Sequence, residues 1–353
     1  MRPVAPLPRS LSVRRLASAL AVLALIASPA KAALAAAAAP AYVVSGQIAG
    51  PDGSWDYASF DPAHHRLYVS RGDGVMAVDV DSGAVTPHLT AGQHTHEPLV
   101  LPGGDLLLVT NGASNLARVV KTVDGSTAAE IPATKPDGAV FDPASGLVVT
   151  SSGSGLATVI DPAAKTATGQ ISVAPGQSLE FPAVDGQGGV FDNVESLGEI
   201  VRLDLKARTV LARYRLAGCE EPGGLAYIPG ADVLISACQN GVAEVVSAKT
   251  GVVVASLAIG KGPDAVIWDG VRRLAFIPCG KDGVLDVIAP GGGADAAVVE
   301  VVKTEAGART GAVDPETGKL YLPTARFGPA PAAGGKPPMV PGSFHILVVS
   351  PQG

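Results

Sequence analysis

The chain has 353 residues, 26 of them basic and 32 acidic, a formal net charge of −6, and an aromatic content of 4%. The acidic balance disfavours nucleic acids and anionic membranes as partners, and the few aromatics exclude an extended platform for stacking bases. Beyond residue 40 no sustained apolar spacing typical of amphipathic helices occurs, whereas short alternating runs bounded by Gly, Pro, Asp and Asn recur. We therefore predict an all-β protein.

The first segment of the chain has the features of a secretory signal. Basic residues precede a short apolar run, Leu16–Ile26, which is followed by Ala30-Lys31-Ala32. Small residues at positions −3 and −1 are typical of a cleavage site, and the run is shorter than the ~20 residues that span a bilayer. We expect a signal peptide over residues 1–32, an alanine-rich linker over residues 33–41 and no membrane span. The location would be the periplasm or the outside of the cell.

Export would also change the charge of the protein. Cleavage after Ala32 removes five basic residues and no acidic one, so that 21 basic residues remain against 32 acidic ones and the net charge becomes −11. A nucleic-acid partner is therefore not expected.

The remainder of the chain is a tandem repeat with a period of about 40 residues. The last copy shows its form: a run of small and apolar residues, a turn from Asp314 to Gly318, and an alternating run from Lys319 to Leu322. In such a turn Asp caps the backbone, Pro presets φ and Gly accepts a positive φ. Seven copies begin near Trp55, His96, Pro136, Ser178, Glu221, Gly262 and Gly307.

Four short strands in each unit of this length indicate the blade of a β-propeller. We predict a single seven-bladed domain over residues 42–353, present as a monomer. The last copy supplies only three strands and ends at Phe344–Val349, so we expect Tyr42–Ile48 to add the fourth strand and close the ring. A β-sandwich is the structural alternative, but it does not require so regular a period.

The start of each inner strand, five positions before the turn residue, is predicted to lie beside the central channel. Five carboxylates and the guanidinium of Arg309 would then surround one mouth, and crowding would raise the pKa of some acids. The fifth copy has Gly223 there, with Glu221 close by. The candidate ligand-binding residues are Asp56, Glu97, Asp137, Glu180, Glu221, Asp264, Arg309, Trp55 and His96.

Two interpretations of this ring remain open. Each carboxylate may accept backbone N–H groups of a neighbouring blade and only stabilise the repeat. Alternatively, the ring is a polar pocket for a cation, an amine or a polyhydroxyl compound, in which Arg309 holds a carboxylate or phosphate group. A Pro- and Gly-rich insertion, residues 327–343, is expected on the same face, either as a solvated loop or as a lid.

The three cysteines lie in the fifth and sixth copies. Cys219 precedes an inner strand and Cys238 ends the next strand of the same copy, so the ~5.5 Å separation of Cα atoms that a disulfide needs is attainable. An exported protein permits the bond. We predict a Cys219–Cys238 disulfide and a free thiol at Cys279.

A cluster of potential metal ligands, His94, His96 and Glu97, lies within four residues. Zinc usually takes ligands from separated elements, so these are weak candidates, a divalent metal is a minor possibility and no cofactor is assigned. Nucleophile elbows, phosphate loops, dinucleotide fingerprints and haem-attachment motifs are absent from the sequence. We assign no catalytic residue.

The most distinctive sequences of the repeat lie in the fourth to seventh copies. They are LEFPAVDG (179–186), CEEPGGLAYIPG (219–230), ACQNG (237–241), GPDAVIWD (262–269) and GARTGAVDPETGKLYLP (307–323). These segments resemble the YncE-type, YVTN-repeat β-propeller proteins of bacteria, and the last of them is the most specific. The resemblance implies an exported seven-bladed propeller, in a family to which DNA binding is attached by name. The sequence departs from the family at residues 189–193, GVFDN, where a Val-Tyr-Val-Asn run is typical.

Our leading functional hypothesis is a non-catalytic periplasmic protein that presents the acidic channel mouth to a small polar ligand or to another periplasmic protein. The first alternative is a lactonase-type hydrolase that uses the same carboxylates with a divalent ion. The second is single-stranded DNA binding, by analogy with the family.

Overall fold

The computed structural model describes residues 41–331, 335 and 337–352. The proposed signal peptide, the linker up to residue 40 and part of the Pro-rich insertion lie outside the described residues. Within the described part, no helix has the length and apolar character to cross a membrane.

The described chain consists of 28 strands and one short 3₁₀ helix, Glu195–Leu197. The strands are β1 Tyr42–Ala49, β2 Trp55–Asp61, β3 Arg66–Arg71, β4 Gly74–Asp79, β5 Val85–Ala91, β6 Thr95–Val100, β7 Leu106–Asn111, β8 Leu116–Lys121, β9 Thr127–Pro132, β10 Pro136–Asp142, β11 Leu147–Ser152, β12 Leu156–Asp161, β13 Thr166–Ser172, β14 Leu179–Val184, β15 Val190–Val194, β16 Glu199–Asp204, β17 Thr209–Arg215, β18 Pro222–Ile228, β19 Val233–Cys238, β20 Val242–Ser247, β21 Val253–Ala258, β22 Ile267–Asp269, β23 Leu274–Cys279, β24 Val284–Ala289, β25 Ala297–Lys303, β26 Ala312–Val313, β27 Leu320–Thr324 and β28 His345–Pro351.

These strands form seven four-stranded antiparallel sheets. Six sheets take four strands in chain order, from β2-β3-β4-β5 to β22-β23-β24-β25, and the seventh has the order β26-β27-β28-β1. The first strands of successive sheets contact one another along the chain, from β2 and β6 to β22 and β26. The predicted all-β, seven-bladed propeller is confirmed.

The ring is closed by the N-terminal strand, as predicted. β1 pairs with β28 in antiparallel register from Tyr42 opposite Pro351 to Ala49 opposite His345. Tyr42 is buried, and its ring packs edge-on against Phe276 of the sixth blade with centroids 4.9 Å apart. β1 therefore both completes the seventh blade and packs against its neighbour.

Buried turn aspartates fix the hairpin between the first two strands of several blades. Asp61 Oδ1 accepts the backbone N–H of Ala63 at 3.0 Å, and Asp314 Oδ1 accepts that of Glu316 at 2.9 Å. Asp142 and Asp269 make the same contact. Because the carboxylate satisfies the turn backbone locally, it tolerates burial.

The apolar core lies between neighbouring blades. Val149 and Ile171 of the third blade, for example, pack with Leu179 and Val201 of the fourth in one buried cluster. Because both of its faces are covered, a second strand such as β19 is buried along its whole length, whereas an outer strand such as β21 alternates between half-buried and exposed residues. This packing holds the starts of the inner strands in fixed positions around the channel.

Cys219 and Cys238 form a disulfide with their Cα atoms 5.4 Å apart, and Cys279 is a buried free thiol. When the purified protein is denatured without reductant and then alkylated, we expect Cys279 alone to be labelled. Peptide mapping by mass spectrometry checks this expectation. If Cys219 and Cys238 are both alkylated before reduction, the bond does not form in the purified protein.

Candidate functional site

The channel mouth is built by β-bulges at the start of the inner strands. In the third blade, Asp137 and Gly138 together stand opposite a single residue of the next strand, Ser151. The same irregularity occurs in the first, second, fourth and fifth blades. A bulge removes a residue from the ladder and re-aims its side chain. The first bulge residues, with their counterparts in the last two blades, form what we call the mouth ring: Asp56, His96, Asp137, Glu180, Gly223, Asp264 and Arg309.

The structure places His96, not Glu97, in the mouth ring. Thr95 pairs with Asn111 and Pro98 with Val109, so His96 is the first bulge residue of the second blade. Glu97 is the next residue inward and is 6% exposed. The difference arises because Leu101, not Pro102, takes the position of the turn aspartate in this copy. The proline that follows the turn aspartate in other copies, such as Pro62, was the signal for the correct alignment.

Charges alternate along five successive positions of the mouth ring. Arg309 Nε donates to Asp264 Oδ2 at 2.7 Å, and its Nη2 lies 3.9 Å from Asp56 Oδ1. On the other side of Asp56, His96 Nδ1 lies 2.7 Å from Asp56 Oδ2 and 3.5 Å from Asp137 Oδ1. The order is thus acid, guanidinium, acid, imidazole, acid. Burial lowers the pKa of His96, but the Asp56 hydrogen bond and the charges of Asp137 and Asp56 outweigh it and raise the pKa.

The alternation ends at Glu180. The hydrogen bond found for its carboxyl group comes from Ser178 Oγ at 2.9 Å, and the following ring position is Gly223, which has no side chain. Burial, then the charge of Asp137, raises the pKa of Glu180 to about 9. Burial likewise raises the pKa of Asp137 to about 7, although the charge of His96 lowers it. The positive charge near Asp137 and Glu180 is therefore too small to offset the ionisation of both carboxyl groups.

The ring acids do not act as backbone caps for the neighbouring blades. In the described part of the chain we find no hydrogen bond from a backbone N–H group to the carboxyl groups of Asp56, Asp137, Glu180 or Asp264. Neighbouring blades are joined instead by other contacts: Arg309 Nη2 donates to the carbonyl oxygen of Trp55 at 3.0 Å, and Thr310 Oγ1 donates to that of Asp56 at 2.8 Å. Capping of backbone N–H groups therefore does not account for these carboxylates.

Two aromatic side chains form the floor beneath the mouth ring. Tyr57 and Phe181, each one residue inward from a ring acid, meet edge to face with centroids 5.1 Å apart. Tyr57 is 3% exposed, and its pKa is raised well above the usual value by burial and by the charges of the ring acids, Asp137 first. The hydroxyl group thus remains a neutral hydrogen-bond donor to whatever lies above it.

A cavity of about 770 Å³ lies above this floor. Its wall opposite the acids includes Gln239, Lys281 and two residues of the Pro-rich insertion, Phe327 and Pro337. The volume is in the range of small-molecule sites, and acids above an aromatic floor are suited to an amphiphilic ligand with a positive group. The mouth-ring residues that line this cavity are Asp56, His96, Asp137, Glu180, Asp264 and Arg309.

Three other sequence candidates lie outside the cavity lining. Trp55 is 6% exposed and packs against Phe344, with the Arg309 guanidinium carbon 5.7 Å from its ring centroid. Glu221 lines a separate cavity beside the disulfide. His94 is exposed, and its Nδ1 lies 3.0 Å from Nε2 of His96. Trp55 and His94 therefore lie next to the ring residues Arg309 and His96 without lining the cavity. Glu221 belongs to a different cavity.

One buried acid was missed at the sequence level. Asp192 of β15 is fully buried and neither carboxyl oxygen has a hydrogen-bond partner. Burial, then the charge of Asp137, raises its pKa well above the usual value. Its counterparts in the first and second blades are Val69 and Val109, so an acid at an apolar position of the repeat was the available signal. Burial therefore favours the neutral, protonated form of Asp192.

No family model and no curated protein matches this sequence. Solved structures match by fold. A chain in "Crystal Structure of Mitotic Checkpoint Complex" has a TM-score of 0.72 and 12% identity, over 95% of this chain and 99% of that chain. A chain of Kuenenia stuttgartiensis hydrazine synthase has a TM-score of 0.66 and 15% identity, over 79% of this chain and 95% of that chain. At these identities the likeness shows the β-propeller fold alone.

Proposed function

We propose that this chain is an exported, non-catalytic binding protein of the YncE type that holds a positively charged group of a small ligand in the mouth of its channel. The observation that carries the proposal is the interrupted charge alternation. Asp264, Arg309, Asp56, His96 and Asp137 compensate one another in this order around the ring, and Glu180 follows without an ion-pair partner among the described residues. A ligand cation beside Glu180 and Asp137 would continue the alternation.

The surroundings of Glu180 suit such a group. Gly223 leaves the neighbouring ring position open, so a ligand has access to the two carboxyl groups from the cavity. Tyr57, which packs against Phe181, lines the cavity and provides aromatic surface that attracts an ammonium group. Asp137 and Glu180 are largely desolvated, so a charge-assisted hydrogen bond from an amine is stronger here than at the surface.

A protein partner can present the same chemistry. A lysine side chain carries a primary ammonium group on an apolar stem, and the cavity offers both carboxyl groups and apolar wall residues. The structural neighbour in the mitotic checkpoint complex belongs to a protein assembly by its title. A partner protein that inserts a lysine is therefore a form of the same proposal.

Three compounds with four-carbon chains test the proposal because their end groups are cationic, neutral and anionic. We expect putrescine to raise the melting temperature of the purified protein and to bind in calorimetry, whereas 1,4-butanediol and succinate should not. At 100 times Kd, a ligand stabilises by about 2.7 kcal/mol. Nα-acetyl-lysine amide, compared with its norleucine analogue, tests the protein-partner form.

A matched pair of variants locates the site. Glu180→Gln removes one negative charge and keeps the shape, so we expect putrescine affinity to fall about tenfold or more, since hydrogen bonds to charged groups contribute about 1.5–3 kcal/mol. Glu220→Gln changes an exposed acid of the other cavity and should have no effect. Equal affinity in wild type and Glu180→Gln would place the ligand elsewhere and contradict the proposal.

A further inference from the structure

A second feature of the mouth ring is the convergence of three potential metal ligands. One carboxylate oxygen each from Asp56 and Asp137 and one ring nitrogen of His96 all lie within 4.8 Å of one another. They come from three successive blades, so the fold, and not a local motif, brings them together. The sequence cluster His94, His96 and Glu97 contributes only its central member to this group.

The spacing suits a first-row transition metal ion. Zinc binds histidine nitrogen at about 2.0–2.1 Å and carboxylate oxygen at about 2.0–2.2 Å, which places neighbouring ligand atoms of a tetrahedral site about 3.4 Å apart. The two measured ligand pairs, from His96 Nδ1 to the oxygens of Asp56 and Asp137, are 2.7 and 3.5 Å. The Asp137 pair already matches this spacing, and the Asp56 pair must lengthen by about 0.7 Å to accept an ion.

A single proton does not satisfy this arrangement. His96 Nδ1 can donate one hydrogen bond, yet two carboxylates converge on it, and the one from Asp137 is left at 3.5 Å. Directly inward, Glu97 is 6% exposed and makes no ion pair with a described basic residue. A divalent ion would satisfy acceptors that a proton cannot.

A second histidine is placed to orient the first. His94 Nδ1 lies 3.0 Å from Nε2 of His96, with the two rings nearly perpendicular. Metal-bound histidines commonly donate the other ring N–H to a neighbouring acceptor, which fixes the ring and raises its basicity. With a metal on Nδ1, the His96 ring proton would sit on Nε2 and be donated to His94 Nδ1. His94 is thus a positioning residue.

We propose that Asp56, His96 and Asp137 bind a divalent transition metal ion in the channel mouth, with further coordination positions open to the cavity. Imidazole with carboxylates favours Zn²⁺ and its neighbours over Mg²⁺, which prefers all-oxygen sites. The site is distinct from the amine position at Glu180 and goes beyond the proposed function. Because both share Asp137, an ion and an amine would compete for its charge.

Titration of chelator-treated mature protein with ZnCl₂ in a calorimeter tests the inference. We expect one saturable site, and weaker binding at pH 6 than at pH 8. The sign follows from the ligand chemistry: the His96 imidazole must lose its Nδ1 proton to bind the ion, so acid weakens binding. MgCl₂ should give no comparable binding. Co²⁺ should give visible absorption bands of a nitrogen- and oxygen-ligated ion.

Matched variants assign the ligands. His96→Gln should weaken Zn²⁺ binding about 100-fold or more and abolish the Co²⁺ bands, and His94→Ala should weaken binding about 10–100-fold. His88→Gln removes an exposed histidine 3.9 Å from Asp73, outside the mouth ring, and should change nothing. Asp137→Asn is a second ligand variant in case His96→Gln folds poorly, which melting temperature reports.

The outcomes separate this inference from the proposed function. If wild type shows no saturable Zn²⁺ site, or if His96→Gln and Asp137→Asn bind Zn²⁺ as wild type does, the metal site does not exist. Putrescine binding that persists in His96→Gln leaves the amine site standing alone. Zn²⁺ binding that persists in Glu180→Gln while putrescine binding is lost supports two separate positions.

Discussion

Deletion of β1, residues 42–49, is expected to abolish cooperative folding of the monomeric propeller. The strand forms an antiparallel ladder with β28 from Tyr42 to Ala49, and Tyr42 fills the core between the sixth and seventh blades against Phe276. The backbone N–H of Tyr42 also donates to the carboxylate of Glu300 at 3.0 Å. Loss of a ladder and of a buried aromatic costs a large part of the ~5–15 kcal/mol that stabilises a typical domain.

The deletion also uncovers β28. An unpaired edge strand offers its N–H and C=O groups to other chains, so we expect oligomers or aggregates in size-exclusion chromatography. A synthetic peptide of residues 41–49, added during refolding, should restore a monomer because it supplies the missing strand.

The control for this experiment retains the strand. Tyr42→Phe removes only a hydroxyl group that has no hydrogen-bond partner in the structure, so its melting temperature should stay close to that of wild type. A truncated chain that remained monomeric and melted at the wild-type temperature would show that closure of the seventh blade does not stabilise the ring.

Arg309→Gln is expected to destabilise the protein at pH 8 by about 1–3 kcal/mol. Removing one partner of a buried pair typically costs about 3–5 kcal/mol, and we reduce this range because the Arg309 side chain is 36% exposed and therefore partly screened. The variant leaves Asp264, 22% exposed, without its cation, and Asp56 loses a second neighbour at 3.9 Å. Thermal and urea unfolding measure the change.

The loss of stability in Arg309→Gln should depend on pH. In wild type, burial raises the pKa of Asp264 while the charge of Arg309 lowers it. Without Arg309 the folded-state pKa rises further above the unfolded value of about 3.9. The folded variant then keeps a proton that the unfolded chain releases, so its stability falls as pH rises from about 4 through the folded-state pKa. We expect a small deficit near pH 4 and the full deficit at pH 8.

A double mutant and a surface pair complete the test. Asp264→Asn in the Arg309→Gln background should recover part of the loss and flatten its pH dependence, since the unpaired charge is gone. Glu130→Gln, whose side chain is 50% exposed in a pair with Arg118 at 2.9 Å, should change stability by no more than about 0.5 kcal/mol. A deficit in Arg309→Gln that is equal at pH 4 and pH 8 would contradict the electrostatic explanation.

The sequence was sufficient to predict the fold because every copy repeats the same local signals. The turn at Asp314 to Gly318 and its counterparts fixed the number of blades, and the missing strand of the last copy pointed to Tyr42–Ile48. The residues of the mouth ring were harder to predict. Asp56, Asp137 and Arg309 were aligned correctly from the turn aspartates, whereas the second copy lacks that aspartate and Glu97 was aligned in place of His96.

The contacts between blades were not accessible from the sequence. The alternation of charge along the ring depends on which side chain each β-bulge directs towards the neighbouring blade. The bulges have no common residue pattern that the sequence would show, because the second bulge residue is Gly138 after Asp137 but Tyr57 after Asp56. The His94 contact to His96 and the burial of Asp192 also arise from tertiary packing. Periodicity identifies equivalent positions but not the partners that the closed ring gives them.

The bulges have a consequence for how the protein can change. Residues of the mouth ring stand outside the regular ladder, so exchanging a side chain at Glu180 or His96 leaves the pairing of the blade intact. Side chains at these two positions can therefore change without a change of strand pairing. Glu180 and His96, randomised together, would form a combinatorial library that retains the ion pair of Arg309 with Asp264, and receptors for other small molecules could be selected from it.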